Sequence, residues 1–247
     1  MIKFAAAASL AVMAALSVAS PALADSMLFN STDIGKSVTL DYNGYSGNGG
    51  AAINGLTGST TFTLTGVSGN DYSFSYAVSN TTSAPVSDSR ISSFAFNSDP
   101  TITGASSTGA YSYTQLSSNY PNGIGTVDVC FKDASTGACA GGGSGGLTAG
   151  QSGTGDFTLS FASPVSALTL SDFYVRYQSI VGVPGVSSAS GAGTISSSTS
   201  STSGGSTTSG GTQVPEPGML GLFGAGIIGL ALARRRRAAV RVQFAAT

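Results

Sequence analysis

The chain has 247 residues, of which 42 are Ser, 26 Thr and 35 Gly; only 9% are charged, and His and Trp are absent. The missing His removes the commonest general base and metal ligand, and with it every Ser-His-Asp or Cys-His arrangement built within one chain. The formal net charge of −1 hides an uneven distribution: four bases face ten Asp between Asp25 and Gln213, while five bases crowd the last fourteen residues. An acidic face repels phosphate backbones, so nucleic-acid binding is not expected.

The N-terminus reads Met1-Ile2-Lys3, an apolar run from Phe4 to Val18, and Ser20-Pro21-Ala22-Leu23-Ala24. A basic n-region, an h-region of about 15 residues and an A-x-A site mark residues 1–24 as a secretory signal peptide. Ala22 and Ala24 define the cleavage site, and Asp25 becomes the new N-terminus. The run is short for a membrane anchor, so export through the Sec machinery with cleavage is the expectation.

Residues 25–182 have the length of one domain. Helical periodicity is absent from them, and period-two alternation recurs. It is seen in Thr61-Phe62-Thr63-Leu64-Thr65, Tyr72 to Val78, Ser93 to Phe96, Tyr111-Ser112-Tyr113, Val127 to Phe131 and Phe157 to Phe161. Alternation puts one side of each strand inward and a Ser/Thr side outward. Turn residues fall between the runs, as in Gly66 to Asp71, Asn97 to Pro100 and Pro121-Asn122-Gly123. The expected fold is all-β, an antiparallel β-sandwich or jelly roll.

Cys130 and Cys139 are the only cysteines, and in an exported chain they are expected to form a local disulfide. A metal or catalytic role lacks a His to accompany them. The run Gly141 to Gly146 follows no strand–helix geometry, so it reads as loop and not as a phosphate cradle. Ser163 to Ser179 gives two strands or one bent strand. Phe173, Val175 and Tyr177 share one face of it, and Tyr174, Arg176 and Gln178 the other. The second set is a candidate ligand face, with Tyr174 as a stacking platform and Arg176 as a hydrogen-bond fork. The alternative is an ordinary sheet surface on which Arg176 pairs with a neighbouring Asp.

From Ser187 to Thr212, 23 of 26 residues are Ser, Thr or Gly. Residues 183–213 are therefore expected to be a flexible linker, with a reach on the order of 28 Å for the 26-residue run. Then come Val214-Pro215-Glu216-Pro217, the uncharged stretch 218–233, and Arg234, Arg235, Arg236 and Arg237. As a single transmembrane helix the stretch spans roughly 24 Å against a hydrocarbon core of roughly 30 Å, a mismatch that flanking residues and local thinning cover. The four Arg form a stop on the cytoplasmic side and place the Asp-rich domain outside. Residues 238–247 are then a cytoplasmic extension.

Pro-Glu-Pro, a Gly-rich apolar stretch and an Arg cluster, in that order, closely resemble the PEP-CTERM sorting tail over residues 214–237. The resemblance implies a Gram-negative exported protein handled by an exosortase, a membrane-embedded transpeptidase-like enzyme. Pro215, Glu216 and Pro217 would be its recognition residues. Ten residues beyond the Arg cluster depart from the usual ending of such tails. The 163–179 region, the Cys pair and Thr60 to Val67 resemble the cistern family of exported PEP-CTERM proteins, which implies no activity.

The leading expectation is a non-enzymatic envelope or extracellular-matrix protein, sorted by an exosortase in an exopolysaccharide or biofilm context. It is transiently anchored in the inner membrane and then displayed or released. The alternative is a carbohydrate-binding adhesion module. An Asp-based hydrolase would need two carboxylates in one cleft, and ice binding would need a flat, regular Thr face. No cofactor is expected. A Ca²⁺ site from Asp and carbonyl oxygens is the one metal reading left, without a D-x-[DN]-x-[DN]-G run behind it.

Overall fold

Alternating polar and large apolar residues build β-strands such as those around Phe62, Phe74 and Phe157. In the computed structural model, which describes residues 25–47, 50–139 and 144–199, the elements are β1 (Ser26–Asn30), β2 (Ser37–Tyr45), β3 (Ala52–Ser68) and β4 (Asp71–Asn80). They continue with β5 (Asp88–Asp99), β6 (Gly104–Ser107), β7 (Tyr113–Tyr120) and β8 (Gly125–Lys132). The last are β9 (Leu147–Thr148), β10 (Ser152–Ser160), β11 (Ala167–Val181) and β12 (Ser188–Thr199). The fold is all-β and antiparallel, as expected.

It is one continuous sheet, in the order β6-β10-β4-β3-β2-β12-β11-β5-β8-β7, with β1 and β9 added to β11 and β5. The expected pair of sandwich sheets is thus a single sheet that curls on itself. Its end strands, β6 and β7, follow one another in sequence through the 3-10 turn Gly109–Tyr111, so the ends adjoin and the sheet is nearly closed. Twist makes such curling natural, and closure hides edges that would otherwise recruit other chains.

The core lies inside the curl and is largely aromatic. Phe62 of β3 meets Phe94 of β5 at 5.6 Å, Phe157 of β10 at 5.7 Å and Phe173 of β11 at 6.1 Å between ring centroids. Offset and edge-on contacts of this kind add to the burial term. The bent segment after Pro164 is one strand, β11. It is bent where Asp172 and Ser179 take φ of 54° and 52°, at breaks in its register with β5.

One sequence expectation is overturned. The residues read as a linker from 183 include β12, which sits mid-sheet between β11 and β2. The domain therefore runs past residue 182 to at least Thr199. The Gly residues of β12 serve close packing. A Cβ on Gly193 would lie 2.8 Å from Tyr42 Cε1, and one on Gly191 would lie 3.1 Å from Tyr177 Cε2. Bare backbone lets these two core tyrosines pass beneath the strand. Residues 200–213 of the expected linker lie outside the described residues.

Candidate functional site

The expected face of Tyr174, Arg176 and Gln178 does form on β11, but a second layer covers it. The β7–β8 hairpin is paired to β5 through β8, and residues near its tip lie against the outward side of β5 and β11. There Ala95, Tyr120, Val127, Cys130 and Cys139 make a small second core, flanked by Ile124 and Tyr174. Tyr174 packs on Tyr120, with ring centroids 5.9 Å apart.

Arg176 is only 7% exposed. Its Nη1 donates to Asn122 Oδ1 at 3.2 Å, and its Nη2 to Ser188 Oγ at 2.7 Å. Asn122 Nδ2 in turn donates to the Tyr45 carbonyl at 3.1 Å. The turn Pro121-Asn122-Gly123 is thereby latched to β2, β11 and the start of β12. Two positive-φ residues in succession, Asn122 at 63° and Gly123 at 77°, give that turn its shape. No Asp pairs with Arg176 among the described residues; its acceptors are neutral, and its Nε is buried without a hydrogen-bond partner. Burial lowers the guanidinium below its ordinary pKa. The expected alternative, an Arg–Asp pair, belongs instead to Arg90, whose Nη1 lies 3.6 Å from Asp133 Oδ2.

Gln178 is likewise engaged. Its Oε1 accepts from Arg90 Nη2, while Arg90 Nη1 donates to the Gly145 carbonyl at 2.6 Å. Lys132 is also buried, and its Nζ donates to the Gly137 carbonyl at 2.5 Å. The register places Arg176 opposite Ser93, and Ser93 opposite Lys132, so the two cations stand in one row on either side of a serine. Their work here is to fasten loops onto the sheet. Cys130 and Cys139 close the Lys132 loop with the expected disulfide, at a Cα–Cα distance of 5.9 Å. Periodicity told which side of β11 these residues share; it could not tell that a distant hairpin would cover that side.

Of the other expected site residues, the structure describes Asp25 alone. Ala22 and Ala24 lie outside the described residues, as do Pro215, Glu216, Pro217 and Arg234 to Arg237. Asp25 is described, and its carboxylate accepts the Ile195 N–H. No described helix is long and apolar enough to cross a membrane, and the expected span 218–233 is outside the described residues.

The family model of the PEP-CTERM protein-sorting motif matches residues 213–237. The chain is a PEP-CTERM-containing protein. The match takes in the Pro-Glu-Pro triplet, the uncharged stretch and all four consecutive Arg. For a PEP-CTERM protein the motif implies export, targeting to the cell surface and an exosortase as processing partner. No curated protein and no solved structure matches this PEP-CTERM chain.

Proposed function

We propose that this PEP-CTERM protein is a non-enzymatic component of the cell envelope or extracellular matrix, delivered by exosortase processing. The sorting motif at residues 213–237, placed behind an exported all-β domain, is the observation that carries the reading. The signal peptide of residues 1–24 starts export, and cleavage after Ala24 leaves Asp25 first. Residues 218–233 then hold the chain in the inner membrane, Arg234 to Arg237 remain cytoplasmic, and the enzyme acts at Pro215-Glu216-Pro217. The final setting is exopolysaccharide or biofilm material at the cell surface.

Two features support a structural role over catalysis. The chain has no His, and its one buried row of cations is consumed in holding loops. The experiment is removal of the exosortase from the producing cell. A membrane-bound precursor that retains the Arg run should accumulate, and surface material should lose the protein. Normal release without the enzyme would refute the reading.

A further inference from the structure

The outward face of β3, β4 and β10 differs from an ordinary wet sheet face. The register sets Thr61, Ala77 and Thr154 in one cross-strand row, and Thr63, Ser75 and Asp156 in the next. These six residues, with Tyr76 and Gly155 between them, line a cavity open to solvent. Its floor is the middle strand, with Ser75 and Ala77. Its walls are the longer side chains of β3 and β10. Wall to wall is two strand spacings, about 9.6 Å, and successive outward residues along a strand are about 6.8 Å apart.

The chemistry of this trough is uniform. Strands β2, β3, β4 and β10 contain no Lys or Arg, the residues whose long side chains so often cover exposed surface. Hydroxyls continue the rows onto β2, where Ser37 Oγ lies 2.6 Å from Thr63 Oγ1 and Thr39 Oγ1 lies 2.9 Å from Thr61 Oγ1. These paired hydroxyls fix the Thr rotamers, so the wall is pre-organised. Asp156 is exposed at the rim, and no described side chain pairs with its carboxylate. The only charge at the trough is therefore negative, which repels polyanions. Tyr76 is the one aromatic residue of the lining, and it is only 2% exposed with its hydroxyl donating to the Thr108 carbonyl, so the trough offers no exposed aromatic or large aliphatic anchor, the usual core of a protein–protein interface. Sheet twist of roughly 20–25° per strand spoils a rigid lattice match of the kind ice would need, whereas a flexible polymer can follow it.

We propose that this trough binds a neutral polysaccharide chain lying along β4. Asp156 and the Thr hydroxyls take hydrogen bonds from sugar hydroxyls, and the Ala77 methyl meets a C–H face of the ring. Each contact is weak, and many displayed copies on one polymer supply avidity. The trough belongs to the folded domain and binds without sorting; only the avidity of displayed copies rests on the proposed delivery to the surface. It also places carbohydrate recognition away from Tyr174, whose ring is committed to packing on Tyr120.

The test is affinity electrophoresis of the full chain in a polyoxyethylene detergent. Native gels contain hydroxyethyl cellulose, dextran or galactomannan, with alginate as the acidic comparison. Retardation is expected in at least one neutral gel and not in alginate. Ala77→Gln, which fills the trough, and Asp156→Ala, which removes its carboxylate, should each weaken it at least fivefold while the far-UV spectrum stays unchanged. Both positions point outward, so the two variants control for one another. Absence of retardation in all three neutral gels, retardation in alginate alone, or binding untouched by both folded variants overturns the proposal.

Discussion

The Asp25 carboxylate accepts the backbone N–H of Ile195 at 2.5 Å, tying the first described residue to the last strand across 170 positions. The bond falls where the β12–β2 register breaks between Ile195 and Ser197, so a side chain serves a backbone donor at the irregularity. The residue expected at the mature N-terminus thus secures the strand nearest the sorting motif.

That relationship makes the end of the domain testable. A chain ending at Val186 lacks β12 and leaves β2 and β11 with open edges over the aromatic core. It should show no cooperative unfolding transition and should be cut rapidly by protease. A chain ending at Ser201 should unfold at the temperature of the intact domain. Calorimetry and limited proteolysis of the two chains measure this. Equal stability would mean that residues 188–199 are a linker after all.

The Arg176 latch has its own signature. Arg176→Ala leaves Asn122, Ser188 and Ser190 without their shared donor in a buried setting. The expected loss is about 1–3 kcal/mol in urea unfolding. Asn122→Ala should cost a similar amount, and the double variant less than the sum, because both act in one network.

The disulfide closes a separation of 9 residues. The chain-entropy model gives about 2.5–3 kcal/mol for a loop of that size. Replacing both cysteines by Ser should lower Tm by roughly 5–12 °C. Differential scanning calorimetry checks it, and the Lys132 loop should become the first site of proteolysis.

Alkaline pH should unfold the domain. Burial raises the phenols of Tyr42, Tyr111, Tyr120 and Tyr177 well above their ordinary value. In the unfolded chain these groups ionise near pH 10. The unfolded state then binds fewer protons than the native state, so stability falls as pH rises beyond about 10 and is untouched by these groups below it. Absorbance at 295 nm should rise together with loss of the far-UV signal. Ionisation of all nine tyrosines without unfolding would contradict the burial.

Much of the fold was legible because the alternation is strong where one face is buried. Phe62 and Leu64, Tyr72 to Val78, and Phe157 with Leu159 announced β3, β4 and β10. Alternation assigns Tyr111 to a strand, but it ends a 3-10 turn, and its phenol donates to the Ile91 carbonyl at 2.9 Å. Strand β12 was hidden because its partners supply the bulk. Ala189 is fully buried and Ile195 packs against the core, while Gly191 and Gly193 make room for rings from β2 and β11. Composition reads such a strand as spacer, since it sees the missing side chains and not the neighbours that fill the space. The covered face of Tyr174 and Arg176 was hidden for a related reason: only tertiary structure brings the Pro121 turn to it. The sorting tail was the most legible feature, because its signal is local and ordered in sequence.

The most direct measurement is intact mass spectrometry of the protein recovered from the surface or medium of its producer. The mature chain should begin at Asp25 and end near Pro215, with the Cys130–Cys139 bridge intact. Released protein that still contains Arg234 would contradict sorting by cleavage.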